Sequence, residues 1–167
     1  MSIIYQPGLE HNNHIITAKD FGKNFNWGVA IAAAQNEGAA NVDGKGKTIW
    51  DTFTQSGSKI KGSAKLTTAC DFYYRYKDDL LLVKALGFSV FRFSISWARI
   101  LPDGTGKINK EGIHFYHRVI DECLKLGLTP YITLYHWDLP QELENKGGWT
   151  NYLIIKWFSR FVSVCAE

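Results

Sequence analysis

The stretch TPYITLYHWDLP, Thr129–Pro140, decides the fold. It opens near a proline, runs through Tyr131, Ile132, Thr133, Leu134 and Tyr135, and stops in His136, Trp137 and Asp138. A short apolar and β-branched run bounded by polar segments reads as a strand buried on both faces. An imidazole, an indole and a carboxylate at the carboxyl end of a buried parallel strand suit a site for a polar ligand, because β/α barrels carry their chemistry on that face. The plainer reading has Trp137 closing the core and Asp138 capping the next turn.

Working outward, the same grammar repeats. Upstream lies a helix expected over Glu111–Leu126, with Ile113, Tyr116, Val119, Ile120, Cys123 and Leu124 on one broad face and Gly127 ending it. Before that, Ser89–Ile95 alternates as a strand, with Phe91, Phe93 and Ile95 on one side and Val90, Arg92 and Ser94 on the other. Tyr73–Leu86 reads as a helix through Tyr76, Leu80, Val83 and Leu86, stopped by Gly87. Phe25–Ala32 is a first strand running into Gln35 and Glu37. Downstream, Tyr152–Ala166 is a helix whose expected stripe is Ile155, Phe158, Phe161, Val162 and Cys165.

Three strand–helix pairs in series make a parallel sheet with helices outside. A doubly wound sheet is the alternative, but the first crossover lacks the glycine-rich dinucleotide fingerprint. All three strands also end in polar or aromatic clusters, Gln35/Glu37, Ser96/Trp97 and His136/Trp137. That repetition favours barrel strands delivering ligands to one rim. The long connection over residues 41–71 reads as a loop in which Ile49, Trp50 and Phe53 pack. Its Gly46-Lys47-Thr48 is not a phosphate loop: Asn41 stands where the leading glycine belongs, and Ile49-Trp50-Asp51 opens no obvious helix.

Composition limits the function. The 167 residues are 46% hydrophobic, enough for a sizeable core, and the net charge of +3 is spread among acids apart from lysines near Lys45–Lys47 and Lys59–Lys65. Such a surface is no nucleic-acid footprint. Cys70, Cys123 and Cys165 are odd in number and far apart, which fits a reducing compartment. MSIIYQPGLEHNNH has neither a basic nor an apolar signal region, and no run approaches a membrane span. The expected setting is cytoplasmic, with no membrane partner. Residues 1–24 are expected to form an arm and 25–167 the barrel part.

The clusters carry a family likeness. FNWGVAIAAAQNEGA (25–39), TIWDTF (48–53), CDFYYRYKDD (70–79), FRFSISWARILP (91–102), the run from Gly112 to Leu143 and KGGW (146–149) occur in this order. Together they resemble the amino-terminal part of glycoside hydrolase family one, the β-glucosidases. The resemblance implies the first three β/α units of an incomplete (β/α)₈ TIM barrel that hydrolyses β-linked glucosides or oligosaccharides with retention. It implies that Gln35 and His136 hydrogen-bond sugar hydroxyls, that Trp137 offers a face to the ring, and that Arg92 orients the nucleophilic carboxylate. No metal or organic cofactor is implied, since the family chemistry uses carboxylates and water.

The residue types suit a sugar, whose apolar CH faces and fan of hydroxyls want an aromatic plate, an amide and an imidazole. For each there is a structural alternative: Gln35 satisfying a loop, Glu37 as a structural partner, Trp50 and Trp97 as core fillers. Three positions depart from the family pattern. Ala34 replaces an aromatic residue beside the sugar site, and Phe72 and Tyr74 replace histidines while keeping size and aromaticity.

Retaining glycosidases need two carboxyl groups about 5–5.5 Å apart. In the family they lie in an Asn-Glu-Pro word after the fourth strand and a Glu-Asn-Gly word after the seventh. Neither word occurs here, and Glu167 falls in a helix. No catalytic carboxylate is therefore expected in this chain, whose partner is the missing carboxyl-terminal part of the barrel. The alternative is a non-catalytic half-barrel that binds sugar or pairs with another chain.

Overall fold

The computed structural model of the chain describes residues 16–56, 60–63 and 66–167. Lys59, Lys65 and residues 1–15 of the expected arm lie outside the described residues. The elements run β1 (Gly28–Ala30), α1 (Ala33–Asn36), α2 (Ile49–Gln55), α3 (Phe72–Ala85), β2 (Val90–Ser94), α4 (Trp97–Ile100), α5 (Lys110–Lys125), β3 (Thr129–Thr133), α6 (Gln141–Glu144) and α7 (Ile154–Ala166). Short 3-10 turns add Ala18–Phe21, Lys61–Ser63 and Gly148–Thr150.

The three strands are parallel in the order β1-β2-β3, with Ala30, Arg92 and Tyr131 at one level. Helices α3 and α5 cover the same face. Phe91 stacks on Phe72 of α3 at 5.9 Å, and Phe93 stacks on Tyr116 of α5 at 6.3 Å. A parallel sheet wound in one direction with its crossover helices on one side is consistent with a segment of a β/α barrel.

The alternation expected for β2 holds on the helix side, where Phe91, Phe93 and Ile95 are buried. On the other side Arg92 is exposed while Val90 and Ser94 are covered. Ser94 is covered because α1 lies over it: its Oγ accepts the Ala33 N–H at 2.8 Å.

Four expectations need correction. β3 is not buried on both faces. It is the edge of an open sheet, so Tyr131 and Ile132 stand 51% and 45% exposed. β1 is shorter than 25–32: the rings of Phe21, Phe25 and Trp27 cluster at separations of 4.7 to 4.9 Å ahead of the strand, while the Trp27 carbonyl still accepts the Ser89 and Val90 N–H groups at 3.0 and 3.2 Å. The stretch after Thr48 does open a helix. Thr48 Oγ1 accepts the Asp51 N–H at 3.2 Å while Asp51 Oδ2 accepts the Thr48 N–H at 2.9 Å, a reciprocal cap. Finally, α7 is turned by about one position: Ile154 and Val164 are buried with Phe161, while Ile155 faces solvent. Two stripes one residue apart share Phe158 and Phe161, and periodicity alone does not separate them. The outermost residues of two other stripes, Leu86 and Leu124, are also exposed.

A buried polar network fixes the rim. Arg99 Nε donates to Glu37 Oε2 at 3.0 Å, and Tyr116 Oη donates to Glu37 Oε1 at 2.6 Å. Tyr116 Oη in turn accepts the Ser96 N–H at 2.7 Å, and Arg99 Nη2 reaches the Gly38 carbonyl at 3.3 Å. The guanidinium lies 4.5 Å from the Tyr73 ring centre. Burial works against the Arg99 charge, but Glu37, with Tyr116 and Tyr73 beside it, raises the pKa on balance. Gly112 lets α5 press on this knot, for a Cβ there would sit 2.1 Å from the Arg99 carbonyl oxygen.

Breaking one side of a buried pair leaves an uncompensated charge, which costs about 3–5 kcal/mol. Arg99→Met should lower stability by about that much in urea unfolding of the dilute chain, and adding Glu37→Leu should recover part of it. The sheet edges make a second prediction. Unpaired strand edges and uncovered apolar faces template association. With Tyr131, Ile132, Phe25 and Trp27 exposed, the chain should self-associate in light scattering. A monodisperse monomer with a cooperative melt counts against this.

Candidate functional site

The carboxyl ends of β1 and β3 meet at a cavity of ≈ 280 Å³. Ala34 and Gln35 reach it from α1, Trp50 and Thr54 from α2, and His136 and Trp137 from the segment after β3. Three of the four residues expected at the sugar site thus share one cavity. Arg92, the fourth, does not line it. Its side chain is exposed on the open face, where Nε donates to Thr133 Oγ1 at 2.8 Å, with no carboxylate partner among the described residues.

The polar clusters at the strand ends divide by level. Gln35, His136 and Trp137 face the cavity, whereas Glu37, Ser96 and Trp97 are buried beneath it. Glu37 is a structural partner, as the pairing with Arg99 shows. Trp97 is a core side chain, fully buried, stacked on Phe161 at 4.9 Å and donating Nε1–H to the Gly104 carbonyl at 2.8 Å. Trp50, which the sequence left undecided, belongs to the cavity wall. Phe72 keeps its packing, buried against Phe91, while Tyr74 is 60% exposed.

The α2 segment straps the rim in place. Lys47 O accepts the Gln141 N–H at 2.8 Å, Ile49 N–H donates to Leu139 O at 2.9 Å, and Thr48 bridges to Pro140. Above them Trp50 Nε1–H donates to the Trp137 carbonyl at 2.7 Å. Trp137 itself has φ of 67°, a left-handed conformation that a bulky side chain seldom adopts. The turn leaves its indole 71% exposed, 5.9 Å from the His136 ring. Trp137 therefore does not close the core. Nor does Asp138 cap the next turn, because Pro140 holds the cap position of α6.

Asp138 is fully buried, and neither carboxyl oxygen has a hydrogen-bond partner among the described residues. Burial pushes its pKa up to about 7, against a lowering pull from the nearby Ser96 hydroxyl, which is not aligned for a hydrogen bond. No carboxylate lines the larger cavity among the described residues. The site as built can hold a polar ring by amide, imidazole and aromatic contacts, and it offers no acid–nucleophile pair.

The chain is similar to known proteins over most of its length. The pattern of glycosyl hydrolase family 1 matches residues 17–167. β-Glucosidase A of Thermotoga maritima is 46% identical over 152 residues, 91% of this chain and 34% of that protein. The cytosolic β-glucosidase of Homo sapiens is 47% identical over 147 residues, 87% of this chain and 31% of that protein. A solved T. maritima β-glucosidase in complex with deoxynojirimycin superposes with a TM-score of 0.81 at 47% identity, over 83% of this chain and 31% of that one. The chain spans about a third of the length of the relatives it matches. No helix among the described residues is long and apolar enough to cross a membrane. With the family pattern running from Thr17 to Glu167, the chain belongs to glycosyl hydrolase family 1.

Proposed function

We propose that this chain is the sugar-holding, amino-terminal part of a retaining β-glucosidase-like (β/α)₈ barrel, and that it does not hydrolyse glycosides alone. The observation that carries the reading is the convergence of Gln35, His136 and Trp137, from the ends of two strands, on one cavity. In this reading Gln35 and His136 bond hydroxyls of the terminal sugar of a β-glycoside or oligosaccharide, while Trp137, joined by Trp50, faces the ring. The T. maritima relative solved with deoxynojirimycin supports a sugar-like ligand.

Arg92 orients the nucleophile once the rest of the barrel is present. Its exposure on the open face, held only by a neutral hydroxyl, supports this, since an arginine committed to a structural pair would be buried against a carboxylate. The incoming carboxylate would gain a cation and keep its charge. We take residues 25–167 as the barrel part and the preceding segment as an arm. Three unpaired cysteines and a relative named cytosolic support a cytoplasmic setting.

Hydrolysis with retention needs both carboxyl groups. The chain as written should release no chromophore from a nitrophenyl β-glucoside above background. A rate that co-purifies with the chain and vanishes on mutating any one of its glutamates would overturn the reading.

A further inference from the structure

Beneath the sugar cavity lies a second, enclosed one of ≈ 10 Å³, at the threshold of what one water molecule needs. Ser96, Asp138, Glu37, Lys45, Thr48 and Asp51 line it. We propose that Asp138 is a positioning residue of the sugar site: in its uncharged form, with Ser96, it anchors from below the left-handed turn that aims His136 and Trp137 at the cavity above. This deepens the reading of the chain as a sugar site and rests on it.

Three independent features converge on Asp138. The adjoining Trp137 sits at φ 67°, a conformation that persists only where its surroundings over-determine it. From above, Trp50 holds the Trp137 carbonyl. From below, the next residue is Asp138, wholly buried and without a hydrogen-bond partner, and the Ser96 hydroxyl in the same cavity is also unpartnered. A neutral carboxyl has one proton to donate, and the unpartnered Ser96 Oγ in the same cavity is the acceptor assigned to it.

For the charged form, burial and Glu37 outweigh the lowering pull of the Ser96 hydroxyl, its own backbone and Lys45. Lys45 is already bound to Asp51 at 2.8 Å. Arg99 is bound to Glu37, whose other oxygen accepts from Tyr116. Glu37 opposes a second negative charge, and burial penalises it most. The fold therefore favours the proton-bearing acid, whose pKa is raised from 3.8 to about 7. For an acid raised in this way the contribution is full below its ordinary value, declines as pH rises, and is lost above about 7. Ionisation is relieved by swinging Asp138 outward, which unlocks the Trp137 turn.

The test is hydrogen exchange by mass spectrometry on the 167-residue chain at low concentration, at pH about 5.5 and about 8.5, corrected for intrinsic exchange. Peptides covering residues 133–143 of the parent chain should lose about tenfold or more of their protection at the higher pH. In Asp138→Asn, which has the shape but no proton to lose, protection should be the same at both. Where that variant fails to fold, Ser96→Ala serves: it removes the acceptor and should move the midpoint of the step.

A parent chain with no step, a step retained in Asp138→Asn, or a midpoint unmoved in Ser96→Ala overturns the proposal. D-glucose binding, followed by tryptophan fluorescence, should weaken several-fold across the same step in the parent only. Equal glucose affinity on both sides of the step overturns the positioning claim. Glucose bound at neither pH, with the step present, overturns the sugar-site reading and leaves the pH-dependent turn standing.

Discussion

The rim depends on the burial of one ion pair. Glu37 follows the first strand and Arg99 the second, and their contact is roofed by Tyr116 from α5. None of the three can be stripped of water without the others, so the network forces the ends of β1 and β2 and the start of α5 into one arrangement. Gln35, two residues before Glu37, inherits its position from that constraint. The aromatic ladder of Phe72, Phe91, Phe93 and Tyr116 supplies the apolar contact around it. The network supplies direction, which non-directional burial cannot.

The second constraint is the strap formed by α2. Its residues and the two before it pair with the segment after β3 through two main-chain hydrogen bonds and the Trp50 indole. A chain section remote from both strands thereby holds Trp137 in a conformation it would otherwise leave. The remaining face of the sheet has no such support. Arg92 and Tyr131 stand open, and the arginine makes do with a threonine hydroxyl.

Much of this was legible in the sequence, for reasons that can be named. Alternation in FRFS and the 3.6-residue spacing in α3 and α5 are local signals, and they placed those elements within a residue or so. The rim residues were legible because Gln35, His136 and Trp137 follow apolar runs abruptly. What was not legible depended on neighbours. β3 reads as fully buried because its composition suits a central strand, yet here it is an edge. The face of α7 is set by the burial of Ile154 and Val164 in the core, Val164 beside Ile95 and Ile100, contacts remote in sequence. The start of α2 was available in Thr48-x-x-Asp51, a capping signal overshadowed by the surrounding glycines and lysines. The partnership of Glu37 with Arg99 joins residues 62 positions apart and has no local signature.

The central claim is that Gln35, His136 and Trp137 form one wall of a sugar site. Titrating the chain with D-glucose while following tryptophan emission tests it most directly, since Trp50 and Trp137 both border the cavity. The account predicts a saturable change that Gln35→Ala and His136→Ala each weaken by about tenfold, the loss of one or two hydrogen bonds. An emission unchanged by glucose, or a titration that neither substitution alters, would contradict it.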